Sequence, residues 1–78
     1  YHRTKIKKGT LGKISKVQEE IEEYKDAIKQ KCEIMAIVEL ADIYGALEEL
    51  AKSHKLKMND LKKMSNITKR VFKSGSRN

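Results

Sequence analysis

Apolar side chains recur every three or four residues along the first half of the chain, at Ile14, Val17, Ile21, Tyr24 and Ile28. This spacing places them on one face of an α-helix. Thr10 and Gly12 stand just before the pattern and mark where the helix begins. The sequence therefore predicts a first helix over residues 13–29.

Residues 34–51 contain thirteen apolar residues in eighteen, too many for a helix with one apolar stripe. The pattern predicts a second helix that is covered on most of its circumference and forms the core. Gly45 lies inside this helix and costs about 1 kcal/mol relative to Ala. We interpret it as a point where another backbone comes close.

Residues 52–57 have the composition of a connection, and Asn59 or Asp60 is suited to cap a third helix. Helical spacing then continues to about residue 72, through Leu61, Met64, Ile67 or Thr68, and Val71. The sequence therefore predicts an all-α fold, a small bundle of about three helices. We divide the chain into a basic N-terminal arm (1–9), a helical domain (10–73) and a flexible tail (74–78).

The chain is too short to bury a large core, with 78 residues of which 38% are apolar. We therefore expect a homo-oligomer, a dimer or tetramer in which the helices join into a larger bundle.

Cys32 is the only cysteine, which excludes an internal disulfide and favours a reduced, cytoplasmic setting. The longest uninterrupted apolar run, residues 34–38, is too short to span a membrane.

Charge divides the chain into three blocks. Residues 1–16 carry six cations and no acid, residues 17–51 carry ten acids against three lysines, and residues 52–78 carry nine cations and one acid. The net charge of +7 and the pI near 9.6 would ordinarily favour a nucleic-acid partner. Acids concentrated at the centre instead indicate cations bound there and polyanions held by the flanks.

Two pairs of carboxylates have the same helical spacing. Glu20 and Glu23 are three residues apart on the first helix, and Glu39 and Asp42 are three apart on the second. Residues three apart lie about 60° from one another, on one face of a helix. Glu39 and Asp42 stand among apolar residues, where burying two like charges costs several kcal/mol unless a cation neutralises them.

Packing the two helices antiparallel through the short connection at residues 30–33 would bring both pairs together. Four carboxylates are hard oxygen ligands that suit Mg²⁺ or Mn²⁺ and leave water in place for a phosphate substrate. A solvated acidic face is the common alternative for the run of residues 19–23. That alternative does not account for carboxylates within the mostly apolar second helix.

The stretch from Lys16 to Ile28, followed by Glu39-Leu40-Ala41-Asp42, resembles the ExxE…ExxD signature of the MazG-like all-α nucleoside triphosphate pyrophosphohydrolases. The resemblance covers about half of the chain. It implies a Mg²⁺-dependent enzyme that converts a nucleoside triphosphate or related nucleotide to a monophosphate and pyrophosphate. It also implies four metal ligands, Glu20, Glu23, Glu39 and Asp42, with Glu19 and Glu22 as bystanders or supporting groups.

In such enzymes a later helix carries basic and amide side chains that meet the phosphates. Asn66, Lys69 and Arg70 fall on the matching positions, although the paired glycines that normally follow are missing. The implied reaction is attack of water at the α-phosphorus, with Glu20 or Glu23 orienting or deprotonating that water. Lys69 and Arg70 would hold the departing pyrophosphate.

Two other functions remain open at the level of sequence. The first is a noncatalytic helical dimerisation module that binds nucleic acid or a protein partner through its basic flanks. Such binding would weaken steeply with salt and would not depend on Mg²⁺. The second is a member of the family that keeps the carboxylate cluster but only senses or sequesters nucleotides.

Overall fold

The computed structural model describes residues 5–74 and consists there of three helices, α1 (Ile14–Lys29), α2 (Glu33–Ser53) and α3 (Met58–Ser74). No strand occurs among these residues, so the all-α prediction is confirmed. Helix boundaries agree with the predicted ones within two or three residues. Ser74, the first residue of the predicted tail, ends α3. Residues 1–4 of the predicted arm and 75–78 of the predicted tail lie outside the described residues.

Both interhelical connections use the same turn. The residues Lys31 and Lys55 have left-handed φ angles of 55° and 61°. After α1, the Cys32 N–H donates to the Ala27 carbonyl at 3.1 Å and the Lys31 N–H donates to Ile28 at 3.0 Å. Leu56 and Lys55 repeat these two bonds after α2, each at 2.9 Å. Each helix therefore ends in a Schellman motif with lysine at the position that glycine usually occupies.

We expect Lys31→Gly and Lys55→Gly each to raise the free energy of unfolding by about 0.5–1 kcal/mol. Left-handed φ strains a lysine by more than glycine loses through its freer unfolded chain. Urea titration followed by circular dichroism measures the effect. Lys29→Gly is the control, because Lys29 lies within the right-handed last turn of α1. In this variant the free energy of unfolding should fall by about 1 kcal/mol. A loss of stability in Lys31→Gly would contradict the assignment of strain.

The start of α3 differs in detail from the predicted cap. The helix begins at Met58, before either Asn59 or Asp60. Asp60 nevertheless contributes to the cap, because its Oδ2 accepts a hydrogen bond of 3.0 Å from the N–H of Lys57. The carboxylate therefore satisfies the helix start from inside the first turn.

The helices α1 and α2 pack along one another, and among the described residues α3 contacts α2 alone. The buried apolar side chains are small, with Val17 accompanied by four alanines, Ala27, Ala36, Ala46 and Ala51. The Cα radius of gyration is 14.6 Å, compared with about 11.5 Å for a compact domain of this length. A single chain therefore forms an open arrangement with a thin core.

The apolar surface of the first two helices is mostly uncovered in a single chain. On α1, Ile14, Ile21 and Ile28 are exposed, because the face against α2 is rotated toward Val17 and Glu20. The prediction that helix 34–51 is covered on most of its circumference is not met within one chain, where Ile34 is 78% exposed. A Cβ placed on Gly45 would also meet no atom within 4 Å. The expected close backbone therefore does not come from the described residues of the same chain.

Candidate metal centre

Carboxylates from α1 and α2 meet at the centre of the helix pair. Glu20, Glu39 and Asp42 each offer an oxygen, and the three oxygens lie within 4.8 Å of one another. Glu20 and Glu39 are 5% and 6% exposed, whereas Asp42 is open to solvent. Packing of α1 on α2 thus joins three of the four predicted ligands, contributed by both helices.

Glu23, the fourth predicted ligand, belongs to a second group. An oxygen of Glu23 lies within 4.8 Å of oxygens of Glu19 and Glu20. Glu20 is shared between the two groups and is the hub of the acidic cluster. The described structure does not place Glu23 in the group that contains Glu39 and Asp42.

The surroundings of Glu20 disfavour its negative charge. Its Oε2 atom is buried, and no described residue donates a hydrogen bond to it. Burial raises the pKa of Glu20, and the charges of Asp42, Glu19 and Glu39 raise it further, while Lys16 acts in the opposite direction. Ionised Glu20 therefore lacks a counter-charge on one of its oxygens, as expected for a carboxylate that binds a cation.

The cluster opens into a cleft of about 490 Å³ on the side of Asp42. Its walls come from α1, α2 and the turn before α1, and its lining includes Glu20 and Asp42 together with Leu11, Lys16, Gly45 and Glu48. Small side chains at Ala41, Gly45 and Ala46 leave this space open. Glu20 and Asp42 therefore face this cleft, whereas Glu39 lies behind them and does not line it.

Glu19 has a defined role that the sequence interpretation missed. It is 4% exposed, and its Oε1 accepts hydrogen bonds from the Gly9 N–H at 2.8 Å and from the Lys16 ammonium at 3.2 Å. Lys8 lies 3.8 Å from its other oxygen. The Gly9 hydrogen bond is the largest cause of a lowered pKa for Glu19, which burial opposes. Glu19 thus fastens the end of the basic arm to α1.

A side chain at position 9 would prevent this attachment. A Cβ added to Gly9 would collide with the Ser15 carbonyl group. The Thr10 N–H also donates to the Ser15 hydroxyl at 3.0 Å. In the sequence, the only sign of this attachment is a glycine ten residues before Glu19, and that spacing matches no known motif. Glu22, by contrast, is exposed and pairs with Lys25 at 3.1 Å, as expected for a bystander.

We expect Glu19→Gln to release residues 5–12 from α1. The segment depends on a carboxylate whose pKa is lowered in the folded chain, so its attachment is present above the ordinary pKa of 4.5 and is lost as the pH falls through the folded value. Trypsin should then cleave after Lys7 and Lys8 several-fold faster in the variant at pH 7. Glu33→Gln is the control, because Glu33 is an exposed glutamate at the start of α2. Equal cleavage of the two variants would contradict the attachment.

The predicted phosphate-binding residues lie apart from the carboxylates in one chain. Asn66, Lys69 and Arg70 are all exposed on α3, and none of them lines the acidic cleft. Instead, the start of α3 forms a separate apolar groove with Tyr44 and Leu47 of α2. The fold of a single chain therefore does not bring the predicted phosphate and metal residues together.

Cys32 is a free, half-buried thiol at the junction between α1 and α2.

None of the helices in the described range 5–74 combines the length and apolarity needed to cross a membrane. No protein-family model, characterised protein or solved structure matches the chain.

Proposed function

We propose that the protein is a Mg²⁺-dependent nucleotide pyrophosphohydrolase that converts a nucleoside triphosphate, or a related nucleotide, to a monophosphate and pyrophosphate. The observation that carries the proposal is the meeting of Glu20, Glu39 and Asp42 from two helices within 4.8 Å. These residues belong to the two motifs that resemble the MazG-like enzymes. A reduced, cytoplasmic setting accords with the single cysteine.

The donor set fits a hard divalent cation. Carboxylate oxygens are the ligands that Mg²⁺ and Mn²⁺ prefer, and an open side leaves room for water and phosphate. A solvated acidic face would not explain why Glu20 and Glu39 are 5% and 6% exposed. The buried Glu20 Oε2, which accepts no hydrogen bond from the described residues, supports a cation as its missing partner.

Glu20, Glu39 and Asp42 would hold the cation. When bound, Mg²⁺ would neutralise charge on the triphosphate and favour attack of water at the α-phosphorus. Glu23 is less buried than Glu20 and lies outside the group formed with Glu39 and Asp42. We therefore assign to Glu23 the acceptance of the proton from the attacking water.

Asn66, Lys69 and Arg70 would bind the phosphates. An exposed lysine and arginine together present eight N–H donors to phosphate oxygens, and Arg70 can bind them in a bidentate way. Because these residues do not line the cleft of their own chain, we assign this contact to α3 of a second copy. The proposed enzyme is thus a homo-oligomer with shared sites.

One observation favours a noncatalytic function in its place. The cations of α3 are exposed and separated from the acidic cleft, an arrangement that also suits a binding module for nucleic acid or a protein partner. This alternative needs no cation at the cluster. It predicts binding that weakens with salt and is unaffected by Mg²⁺.

A pyrophosphate-release screen over ordinary and modified nucleoside triphosphates, with and without Mg²⁺, tests the proposal. The enzyme should release pyrophosphate from at least one nucleotide only when Mg²⁺ is present. Nucleotide binding without release would identify a sensor, and salt-sensitive RNA or DNA binding without Mg²⁺ dependence would identify the noncatalytic module.

A further inference from the structure

Lys16 places its ammonium group against two buried carboxylates. Its Nζ lies 3.2 Å from Glu19 Oε1 and 3.6 Å from Glu20 Oε1. The side chains of Glu19 and Glu20 are only 3% and 7% exposed, whereas the side chain of Lys16 is 29% exposed. The contact therefore differs from solvent-exposed ion pairs, whose charges are already satisfied by water.

Lys16 also faces the open side of the cluster. It lines the acidic cleft together with Glu20, Asp42 and Glu48. Among the described residues, it is the only cation that lines this cleft. One positive charge thus stands where several negative charges converge and where a ligand would enter.

We infer that Lys16 is an exchangeable counter-ion, which neutralises the charge of Glu20 when no metal is bound. A divalent cation then displaces the ammonium group from Glu20, and Lys16 contacts the phosphate oxygens of the nucleotide. This inference rests on the proposed function and adds a phosphate-contacting residue to its site. It also gives the nucleotide a basic contact within the same chain as the carboxylates.

Electrostatic repulsion between the ammonium group and a divalent cation drives Lys16 away from Glu20 when the metal binds. The ammonium group and a divalent cation compete for the same Glu20 carboxylate, and at a few ångströms they repel each other. The lysine can swing away because its stem is flexible and its head is partly exposed, and an ammonium group with three donors is well suited to phosphate oxygens. Removing the charge should therefore strengthen metal binding and weaken phosphate binding.

Calorimetric titration with Mn²⁺ tests whether Lys16 competes with the metal for Glu20. Lys16→Met keeps most of the side-chain length without the charge and should bind Mn²⁺ about 3–10-fold more tightly than wild type. Lys16→Arg should stay within about twofold, because the charge is retained. Lys25→Met is the matched control, since Lys25 pairs with Glu22 on the exposed side of the same helix and should leave Mn²⁺ affinity unchanged.

Titration with inorganic tripolyphosphate at saturating Mn²⁺ tests whether Lys16 contacts phosphate oxygens. Lys16→Met should bind tripolyphosphate at least about fivefold more weakly, while Lys25→Met should match wild type. Circular dichroism melting checks that each variant is folded, and Lys16→Gln replaces Lys16→Met if the latter melts early. A purely structural role for Lys16 would weaken both ligands together.

The outcomes separate this inference from the proposed function. Mn²⁺ binding to wild type with unchanged or weaker binding to folded Lys16→Met would overturn the counter-ion role alone. Tighter Mn²⁺ binding with unchanged tripolyphosphate binding would overturn the phosphate contact. Absence of Mn²⁺ binding from wild type and from every variant would overturn the metal site, and with it both proposals.

Discussion

Glu20→Gln is expected to reduce Mg²⁺-dependent pyrophosphate release to background while the metal-free protein stays folded and melts at a higher temperature. Glu20 is shared by both carboxylate groups, so its loss leaves neither group intact. Its raised pKa means that the ionised form is disfavoured in the folded chain. A neutral amide of the same shape removes the buried charge and its repulsion by Glu39 and Asp42.

The sign of this stability effect follows from linkage. A carboxyl group whose folded pKa is raised stabilises the fold below its unfolded pKa, and that contribution is lost as the pH rises through the folded value. At pH 7.5 the wild type carries the unfavourable charge and Glu20→Gln does not. The advantage of the variant should therefore shrink at acidic pH, where wild-type Glu20 takes up a proton.

Mg²⁺ should raise the melting temperature of the wild type and leave that of Glu20→Gln unchanged. A cation that binds only the folded chain stabilises it by about 2.7 kcal/mol at a hundredfold excess over its dissociation constant. In a domain of this size, that corresponds to a rise of roughly 10–20 °C in melting temperature. The wild type should show this rise and Glu20→Gln should not.

Differential scanning fluorimetry with and without Mg²⁺, alongside the pyrophosphate assay, measures both effects. Glu22→Gln is the matched control, because Glu22 lies two residues away on the same helix but is exposed and paired with Lys25. It should keep both the activity and the Mg²⁺-induced rise. If Glu20→Gln unfolded without metal, or retained wild-type activity, the cluster would be structural.

The carboxylate pairs could be predicted from the sequence because the i, i+3 spacing on a helix fixes a shared face whatever surrounds it. Burial of Glu39 also followed from its apolar neighbours. The same argument predicts a buried Asp42, and this is wrong within one chain, because the side of α2 that carries Asp42 is not covered by another described helix. The sequence leaves Glu19 as a bystander or a supporting group, because its partners Gly9 and Lys8 come from a segment about ten residues away that has no periodic pattern. Contacts of that kind depend on where an irregular segment folds back.

The packing face of α1 was only partly predictable for a related physical reason. Its apolar stripe runs through Ile14, Val17, Ile21, Tyr24 and Ile28, yet only Val17 of these is buried, together with Glu20 and Ala27 of the same helix. A periodic stripe reports which side chains avoid water, but it does not report whether a helix of the same chain or of another chain covers them. The same ambiguity affects the apolar second helix.

We expect the protein to be a stable homo-oligomer at micromolar concentration. Twelve large apolar side chains are exposed among the described residues of one chain, among them Ile34 at 78% and Ile37 at 58%. The accessible surface is 6452 Å², compared with about 4,850 Å² for a compact monomer of 9.0 kDa. An excess of about 1,600 Å² per chain is of the size that obligate dimers bury. Sedimentation equilibrium showing a stable monomer would contradict this expectation.

The same oligomer should complete its catalytic sites by sharing residues. Under the proposed function, Glu39 acts in the cleft of one chain while Arg70 comes from α3 of the other. Glu39→Gln and Arg70→Ala should each be inactive alone, yet refolding the two together in equal amounts should restore about a quarter of wild-type activity. Half of the dimers are then mixed, and each mixed dimer has one intact site of two.

Complementation distinguishes shared sites from sites within one chain. If Glu39 and Arg70 served the same cleft of one chain, every chain in the mixture would carry a defect and no activity would return. Mixing Glu39→Gln with Asp42→Asn is the control, because both substitutions damage the carboxylate side of the site and cannot complement each other. Recovery of activity with Arg70→Ala but not with Asp42→Asn would place α3 of one copy over the acidic cleft of its partner.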